Sequence, residues 1–447
     1  MTLLPLLPAV DSAIPLAIYH GEAISRPRFL AQVLHLAEQL PAGGRVLNLC
    51  TNRYAFAVSL FAAIRQGCLT VLPNSAASEH LATVADEHPG LLVLGDQTCS
   101  PLPHLDWLRV NDSLAGLAQV EAAVPLIPAG QQIACVYTSG STGRPVAHYK
   151  SFGAVCRSIA AGAGRVWQVA GGPCSVVGTS PIRHMYGLES GVLLPILGGG
   201  CLSPEVPFFP ADVVRCLQAL PEPRLLVITP YHLRHLIESG VALPPLAAIV
   251  SATAPLGEQL ARQAGRQGGC PVLEIYGSTE TGQLATRQPV IDAIWETLPG
   301  RYLEPDGTGE IWACGGDMPQ VLNDRVELLS STRFRLIDRK AGLVNVAGKR
   351  SSLAFLNGVL SGLPGVKDGV FFLPSHGNPA QAGRLAAFVV APGCQRSEIL
   401  AGLREHLDPV FLPRPLLLVD HLPRDGNGKI QAAALQRLIN TYLPDRT

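Results

Sequence analysis

Three short stretches of the sequence carry residues that could bind phosphate groups and a metal ion, and the first is Tyr137–Pro145 (YTSGSTGRP). Hydroxyl groups and bare main-chain N–H groups follow one another in the run Thr138, Ser139, Gly140, Ser141, Thr142 and Gly143. A loop of this composition can surround phosphate oxygens. It is not a Walker loop, because no Gly-Lys-Ser/Thr follows. The same composition is typical of a solvated turn, so its meaning depends on what else the chain carries.

The second stretch is Glu274–Gly282 (EIYGSTETG), in which an apolar run ends in polar residues. Ligands of open α/β sheets bind beyond the carboxyl ends of the strands, and this is where the polar residues lie. Tyr276 offers a ring on which a base can stack, Thr279 offers a hydroxyl for a phosphate, and Glu280 offers a carboxylate for a hard cation such as Mg²⁺. The alternative is structural, with Glu280 at a helix start and Tyr276 in the core.

The third stretch is Leu422–Ile430 (LPRDGNGKI), near the end of the sequence. Asp425-Gly426 and Asn427-Gly428 are strong turn formers, and Lys429 follows them directly. Most lysines after turns are solvated. An ammonium held at one defined position can also neutralise charge at a phosphate under attack.

Apolar runs alternate with helical stretches, and this arrangement must position the first two stretches. The alternation predicts crossover connections and a parallel sheet with helices on both faces, which is the α/β class. After about residue 300 the pattern changes to hairpin-like pieces, Gly309–Cys314 and Phe334–Arg339, and then to a compact segment that ends in a helix, Ala432–Tyr442. The apolar runs are Val46–Cys50, Leu69–Leu72, Leu91–Leu94, Ile133–Tyr137, Ser175–Thr179, Leu225–Thr229, Leu246–Ser251 and Pro271–Tyr276.

Length and charge limit the class of protein. The 447 residues suggest two or three domains, and a formal net charge of zero argues against a general nucleic-acid binder. Residues 340–447 contain 12 Lys and Arg but 7 Asp and Glu, so this segment carries about +5 while the chain as a whole is neutral. The asymmetry supports a domain boundary near residue 340.

The 11 cysteines, scattered and odd in number, indicate reduced core thiols and no metal cluster. The first ten residues, MTLLPLLPAV, lack the basic region of a signal peptide. Longer uncharged stretches are interrupted by Pro or Gly, so no membrane span is expected. We therefore expect a cytoplasmic location.

Taken together, the three stretches resemble the adenylate-forming superfamily of acyl-CoA synthetases, adenylation domains of nonribosomal peptide synthetases, and luciferases. Further segments extend the resemblance over roughly residues 40 to 430: PIRHMYG (Pro181–Gly187), SATAPL (Ser251–Leu256), NDRVE (Asn323–Glu327) and IDRKAGLVNVAGKR (Ile337–Arg350). The resemblance implies a large N-terminal αβαβα-type body, residues 1–339. It also implies a small mobile C-terminal α+β lid, residues 340–447, that carries Lys429.

The implied reaction has two steps. A carboxylate attacks the α-phosphate of ATP to give an acyl-adenylate and pyrophosphate, and a thiol then attacks the carbonyl of the adenylate. By resemblance, Glu280 holds Mg²⁺, Thr279 the α-phosphate, and Lys429 the charge of the first step. Nucleotide contacts are implied for Thr138 to Gly143 (β- and γ-phosphates), Tyr276 (adenine), Asp324 and Arg339 (ribose), and Thr253, Ala254, Glu274, Ile275 and Gly277.

The sequence departs from the family pattern at several positions. The lid must rotate between the steps, and the resemblance places the pivot at Lys340-Ala341, where Ala341 replaces the usual Asp or Lys. Val146 replaces a lysine that many relatives carry after the phosphate loop, and we expect Arg144 or Lys150 to compensate. Leu322-Asn323 replaces Thr-Gly before Asp324, and Asn345 replaces a common lysine.

The resemblance also suggests the acid and the thiol. His184, Tyr186 and Gly187 are expected along one wall of the acyl pocket, and Ser251 and Ala252 along another. Ala252 and Thr253 replace glycines of relatives and would shorten the pocket, which favours a planar aryl acid over a long chain. The segment Leu407–Ile430 is similar to compact AMP-ligases of aryl-polyene and xanthomonadin-type pigment clusters, which implies a hydroxybenzoate-like acid and an acyl carrier protein.

Other readings of the sequence stay open. The positive C-terminal segment suits an acidic carrier protein, and anionic CoA is the alternative acceptor, with a fatty acid as the alternative acid. Outside this chemistry, a phosphate-binding hydrolase of another fold and a non-catalytic protein of the same fold remain.

Overall fold

A computed structural model shows two compact units. The first contains Met1–Glu304 and Ala313–Gln320, and the second contains Pro305–Trp312 and Val321–Thr447. The second unit thus begins earlier in the chain than the expected boundary at 340. That boundary stays a prediction, because its pivot, Lys340-Ala341, lies outside the described residues. The structure describes residues 2–10, 14–73, 78–96, 102, 105–114, 122–139, 145–339, 343–346, 349–373, 385–426 and 428–443.

The helices and strands follow the predicted alternation closely. In chain order, those that precede the boundary between the units are β1 (Leu3–Pro5), β2 (Ala17–Tyr19), β3 (Glu22–Ile24), α1 (Arg26–Ala37), β4 (Arg45–Asn48), α2 (Arg53–Arg65), β5 (Leu69–Leu72), α3 (Ser78–Glu87), β6 (Leu91–Gly95), β7 (Trp107–Arg109), α4 (Val110–Leu114), β8 (Leu126–Pro128), β9 (Gln132–Ser139), β10 (Pro145–Ser151), α5 (Phe152–Ala170), β11 (Ser175–Gly178), α6 (Met185–Leu188), a π-turn (Glu189–Leu193), α7 (Leu194–Gly198), β12 (Cys201–Leu202), α8 (Pro210–Gln218), β13 (Arg224–Ile228), α9 (Pro230–Glu238), β14 (Ala248–Ser251), α10 (Glu258–Gly268), β15 (Val272–Ser278), β16 (Gly282–Arg287) and β17 (Ile294–Thr297).

The later elements are shorter strands and three helices. The division between the units runs through the first three strands of this series. They are β18 (Tyr302–Pro305), β19 (Ile311–Cys314), β20 (Gln320–Val321), β21 (Asp324–Leu328), β22 (Arg333–Arg339), β23 (Leu343–Val346), β24 (Lys349–Ser352), α11 (Leu353–Gly362), β25 (Asp368–Phe372), β26 (Ala386–Val390), α12 (Arg396–His406), a 3₁₀ turn (Pro409–Phe411), β27 (Leu416–Leu418) and α13 (Ala432–Tyr442).

The first unit contains two large sheets rather than one, in addition to the short pair β1-β8. The smaller has the order β10-β9-β5-β4-β6-β7, and all of its neighbouring pairs are parallel except β10 with β9. In the larger, the first unit contributes β17-β16-β15-β14-β13-β11-β12-β2-β3, with a parallel centre from β15 to β2. Their strands read as continuous apolar runs because both faces of each sheet are covered.

Helix α2 shows how the first unit is packed. Each residue from Arg53 to Ile64 is buried, so the helix has no solvated stripe. A helix that is buried on all sides belongs to the interior of a large body. Its aromatic side chains Phe56 and Phe61 join a core that also includes Phe29 of α1 and Phe152 of α5.

The carboxyl ends of the parallel strands position the candidate site. Strand β9 of the smaller sheet ends at Ser139, where the phosphate loop begins, and β15 of the larger sheet ends at Ser278. The hairpin from β15 to β16 holds the turn that carries Thr279 and Glu280. Both stretches therefore lie at strand ends, as the sequence predicts.

The second unit has its own core. Strand β26 pairs with β25 antiparallel and with β27 parallel, and Phe372 and Phe388 stack with ring centroids 4.8 Å apart. Helices α11 and α12 contribute Leu356, Leu360 and Leu403 to a separate apolar cluster. The α+β character of this unit agrees with the resemblance.

The cysteines and the apolar character of the helices were also subjects of expectations from the sequence. The ten cysteines in the described ranges are free thiols, and seven of them are buried. None of the helices in the described part of the chain has the length and apolar character that a membrane crossing requires.

Candidate active site

The start of the phosphate loop is anchored by the strand that leads into it. The hydroxyl of Tyr137, the last residue before the loop, donates to Glu87 Oε2 at 2.5 Å and lies 2.9 Å from His88 Nε2. Thr138 Oγ1 lies 3.0 Å from His148 Nε2 on the neighbouring strand. The remainder of the loop, with Gly140, Ser141, Thr142 and Gly143, lies outside the described residues, as does the side chain of Ser139. Their phosphate contacts stay a prediction.

His148 joins the first two chemical stretches. Its Nε2 lies 3.0 Å from Thr138 Oγ1 and 3.7 Å from Glu280 Oε1. Partial burial, with a smaller contribution from Lys150, lowers the pKa of His148, although Glu280 opposes the shift. A neutral imidazole therefore faces the Glu280 carboxylate at neutral pH, and the contact is a polar one rather than a full ion pair.

Glu280 is the residue best suited to hold a metal ion. Burial alone would raise the pKa of its carboxyl group, but hydrogen bonds from Ser278 and a main-chain N–H and the proximity of His148 and Lys150 lower it overall. The carboxylate is ionised at neutral pH, and 35% of the side chain is exposed. Within the described residues, no group of three or more His, Cys, Asp and Glu could hold a metal alone. One carboxylate with phosphate oxygens as further ligands is the arrangement typical of Mg²⁺.

Strand β10 places a lysine beside Glu280. Successive side chains of a strand point to opposite faces, so Val146, His148 and Lys150 share one face. Lys150 is 9% exposed, and its ammonium donates to the main-chain carbonyl of Glu280 at 3.1 Å. Burial lowers the pKa of Lys150, while the carboxylates of Glu189, Glu280 and Asp317 oppose the shift.

A cavity of about 290 Å³ lies beside β10. Five charged residues and His148 line it; the sequence assigns Glu280 to the site and names Lys150 only as a substitute for the lysine missing at position 146. Sequence patterns do not indicate Glu189, Arg301 or Asp317, because their elements come together only in the tertiary fold. The strand alternation could have indicated His148. The charged residues are Lys150, Glu189, Glu280, Arg301 and Asp317.

The segment that follows β14 has an unusual backbone. Ser251 is fully buried, and its hydroxyl has no hydrogen-bond partner among the described residues. Ala252 is buried, Ala254 is exposed, and Thr253 lies between them with a φ of 80°. A positive φ is unfavourable for a β-branched residue, so the backbone at Thr253 is strained. Strain of this kind is found at ligand sites, and the role of these residues in binding stays a prediction.

Strand β15 contributes structural support as well as the turn. Glu274 is buried, forms an ion pair with Arg287 Nε at 2.7 Å and accepts from the main-chain N–H of Leu256 at 2.7 Å. Burial raises the pKa of Glu274, and these partners oppose the shift. The carboxylate of Glu274 therefore ties β15 to the segment after β14, and Ile275 beside it is buried.

The end of β15 is open enough for a ligand. Tyr276 is partly exposed and packs against Trp295, with ring centroids 5.5 Å apart. Gly277 is exposed, but a Cβ atom there would approach the carbonyl oxygen of Gly282 to 2.1 Å, so the hairpin requires glycine. Thr279 is partly exposed in the turn that follows. These positions are compatible with the predicted adenine and phosphate contacts.

The predicted acyl-pocket residues are all buried or partly buried. Tyr186 is buried, and its hydroxyl donates to Val250 O at 2.9 Å, so the ring belongs to the sheet core in this structure. A Cβ atom at Gly187 would meet Pro181 O at 2.1 Å, which explains this glycine by packing. His184 is partly buried at the start of α6. None of these three residues lines the cavity next to Glu280.

In the second unit, the structure brings together the two predicted ribose residues. Asp324 of β21 and Arg339 of β22 are directly opposite partners in an antiparallel pair. Asp324 is partly buried, and the side chain of Arg339 is outside the described part of the structure. Their pairing is compatible with a shared ligand, and the ribose contact stays a prediction.

The Lys429 turn is held by two of its neighbours. Asp425 accepts from the Lys429 main-chain N–H at 3.0 Å and from Gln431 Nε2 at 2.7 Å. Arg424 forms two bonds of 2.6 Å with Asp368 and a third of 2.6 Å with Gly428 O. Lys429 itself is partly buried. These bonds fix the backbone position of Lys429, as the sequence predicts.

Comparison with known proteins identifies the family. The model of the AMP-binding enzyme family matches residues 18–301. A 4-coumarate–CoA ligase of Rhodobacter capsulatus is 30% identical over 331 residues, which are 72% of this chain and 82% of that protein. A p-hydroxybenzoic acid–AMP ligase of Mycobacterium tuberculosis is 25% identical over 468 residues, 94% of this chain and 65% of the relative.

Solved structures of related size share the fold of this chain. O-succinylbenzoate CoA synthetase of Bacillus subtilis, in complex with its acyl-adenylate intermediate, aligns with a TM-score of 0.81 at 19% identity and covers 98% of this chain and 99% of its own. ATP-bound MatB of Rhodopseudomonas palustris aligns with a TM-score of 0.79 at 20% identity, and covers 98% of both chains. The chain belongs to the AMP-binding enzyme family and is an adenylate-forming acid–thiol ligase that activates a carboxylic acid with ATP.

Proposed function

We propose that this ligase activates an aryl carboxylic acid, such as a hydroxybenzoate, and transfers the acyl group to the phosphopantetheine thiol of an acyl carrier protein. The observation that carries the adenylation step is the convergence at His148, which is 3.0 Å from Thr138 at the phosphate loop and 3.7 Å from the Glu280 carboxylate. The aryl acid is supported by relatives named for 4-coumarate, indoleacetate and p-hydroxybenzoic acid.

The first step forms a bond between a substrate carboxylate oxygen and the α-phosphorus of ATP, and pyrophosphate leaves. Thr138 to Gly143 would hold the β- and γ-phosphates, and Thr279 the α-phosphate. Glu280 would hold Mg²⁺, which when bound offsets the negative charge of the phosphate oxygens. Because two anions must approach each other, Lys429 of the second unit would supply positive charge at the reacting phosphate.

The remaining contacts follow the same proposal. Tyr276 would stack on adenine, Asp324 and Arg339 would hold the ribose, and His184 and Ser251 would border the acid. The thiol would then attack the carbonyl carbon of the acyl-adenylate, forming a thioester and releasing AMP. A rotation of residues 340–447 about a pivot at Lys340-Ala341 would give the thiol access after Lys429 has acted.

Free CoA is the second candidate for the acceptor, and relatives named as CoA ligases favour it. The positive charge of residues 340–447 would attract an acidic carrier protein or anionic CoA alike. Carrier-protein transfer rests on the similarity of Leu407–Ile430 to the compact pigment-cluster ligases.

Two assays test these proposals. ATP–pyrophosphate exchange is measured with benzoates, hydroxycinnamates, fatty acids and amino acids, and we expect the aryl acids to give the highest kcat/KM. The acid that is activated best is then offered with CoA or with phosphopantetheinylated carrier protein, and thioester is followed by mass. Exchange driven best by a long-chain fatty acid would overturn the aryl proposal. Efficient CoA thioester formation without transfer to a carrier protein would overturn the proposal that a carrier protein is the acceptor.

A further inference from the structure

The turn that carries Thr279 and Glu280 is only partly held by its own residues. Within it, the Ser278 N–H donates to Thr281 Oγ1 at 3.0 Å, and the Thr281 N–H donates to Ser278 Oγ at 3.2 Å. These bonds close the turn but leave the main-chain carbonyls of Glu280 and Thr281 for other partners. The orientation of Glu280 therefore depends on what those carbonyls contact.

Three buried or half-buried charged side chains bond to this turn, each at a different main-chain group. Lys150 Nζ donates to Glu280 O at 3.1 Å, and Arg301 Nη2 donates to Thr281 O at 3.1 Å. The Gln283 main-chain N–H donates to the Glu189 carboxyl group. The three residues come from β10, the segment before β18 and the π-turn, so three separate elements hold one turn.

Glu189 also restricts the shape of the turn. Its side chain is 3% exposed, and it accepts from Ser158 Oγ at 3.2 Å. A Cβ atom at Gly282, whose φ is 67°, would approach Glu189 Oε1 to 3.0 Å. The carboxyl group thus packs directly against the last residue of the turn, where the positive φ also favours glycine.

Groups of opposite charge lie close together around the turn. Burying a charge is unfavourable unless it is paired and hydrogen-bonded. Glu189 interacts electrostatically with Lys150 and with Arg301, and Asp317 interacts with both of the same cations. An apolar contact would support a purely structural hairpin at a smaller desolvation cost. A fixed dipole and charge network around one turn is instead the type of support that orients a ligand-binding carboxylate.

We infer that Lys150, Arg301 and Glu189 are positioning residues for adenylation, which hold the turn so that Thr279 and Glu280 meet the phosphates and their metal ion. The inference rests on the proposed function of Thr279 and Glu280. It also changes the expectation for Lys150: this lysine does not replace the missing loop lysine at position 146 by contacting phosphate. Its ammonium is committed to the turn, and it acts through Glu280.

The test uses Lys150→Met, which keeps the length of the side chain but removes the charge and the hydrogen bond. The control is Lys367→Met, the same change at an exposed lysine of the second unit. ATP binding is measured by calorimetry with and without Mg²⁺. We expect wild type and Lys367→Met to gain the same affinity from Mg²⁺. Lys150→Met should lose about 10-fold or more of that gain, with a smaller loss of Mg²⁺-free affinity because Thr279 lies in the same turn.

Exchange kinetics provide the second readout. In acid-dependent ATP–pyrophosphate exchange, Lys150→Met is expected to lower kcat by about 10- to 100-fold and to raise the half-saturating Mg²⁺ concentration, with the KM of the acid unchanged. A misplaced turn explains all three results. Arg301→Gln carries the same expectations and is used if Lys150→Met does not fold.

The possible failures are distinguishable. If the variant retains the full Mg²⁺-dependent gain in ATP affinity while wild type catalyses exchange, the positioning role is wrong and the proposed function stands. A raised KM for the acid with an unchanged Mg²⁺ requirement would overturn the inference by placing Lys150 in the acid pocket. If wild type shows the Mg²⁺ gain but no acid drives exchange, the proposed function fails and the positioning of Glu280 stands.

Discussion

Replacing Glu189 by Gln should make the first unit more stable at alkaline pH, despite the loss of a charged residue. The side chain is buried, and burial raises the pKa of its carboxyl group from 4.5 to about 7, although Lys150, Ser158, Arg301 and the Gln283 N–H oppose the shift. A difference of this size corresponds to about 3 kcal/mol in the free energy of unfolding. Glutamine has nearly the same shape and never ionises.

The sign follows from proton linkage. The folded state binds the Glu189 proton more tightly than the unfolded state, so the contribution to stability is fully present below pH 4.5. It is lost as the pH rises towards the folded pKa of about 7, with a loss of about 2.5 kcal/mol between pH 5 and pH 8. Glu189→Gln removes this loss. The stability difference between variant and wild type should therefore shift towards the variant by about that amount over the same pH range.

Urea unfolding at pH 5, 6, 7 and 8, followed by tryptophan fluorescence, measures the difference. Trp107, Trp167 and Trp295 all lie in the first unit and report on it. The control is Glu238→Gln, a change at an exposed carboxylate at the end of α9, which should leave the pH dependence of wild type unchanged. Parallel stability curves for wild type and Glu189→Gln from pH 5 to pH 8 would refute the raised pKa and the burial argument behind it.

Three further predictions concern the reaction and the backbone. Lys429→Ala should lower ATP–pyrophosphate exchange by about 100-fold or more but leave thioester formation from preformed acyl-adenylate within a few-fold of wild type; near-normal exchange would remove Lys429 from the first step. Ala341→Pro should slow thioester formation more than adenylation in single-turnover assays, because it stiffens the proposed pivot; equal losses would count against a pivot there. Thr253→Gly should increase the free energy of unfolding by about 1 kcal/mol and so raise the urea midpoint, because glycine adopts a φ of 80° without strain. A lower midpoint would show that the Thr253 backbone is not strained.

Much of the fold could be predicted from local patterns. The run Leu69–Leu72 became β5 without any change in bounds, and the predicted helix Ala432–Tyr442 became α13. These segments are well predicted because strand and helix periods are written in consecutive residues. The division into two sheets was not predictable in the same way. It depends on which strands pair across long sequence separations, such as β9 with β5.

The candidate site shows the same limit. Glu280 and Thr138 were found because their stretches combine turn formers with residues of the right chemistry. Glu189 was missed because it lies inside an apolar stretch, and only the fold packs it against Gly282. The place of Tyr186 in the acyl pocket stays a prediction from its motif, and its hydroxyl bond to Val250 in the core could not be predicted from that motif.

Arg301 is a second residue of the cavity that the sequence does not indicate. Its sequence neighbours give no indication of a site, yet its guanidinium reaches the carbonyl of Thr281, 20 residues away. Contacts of this kind depend on side-chain direction after the sheets have formed. Such contacts can therefore be identified only from the three-dimensional structure.

Acid-dependent ATP–pyrophosphate exchange in wild type and Glu280→Gln tests the central claim most directly. Glutamine keeps the shape of Glu280 but removes the charge that would hold Mg²⁺. We predict exchange that requires an aryl acid and Mg²⁺ in wild type, and a rate at least about 100-fold lower in Glu280→Gln. Equal exchange rates in the two proteins, or ATP turnover by wild type without any carboxylic acid, would contradict the account.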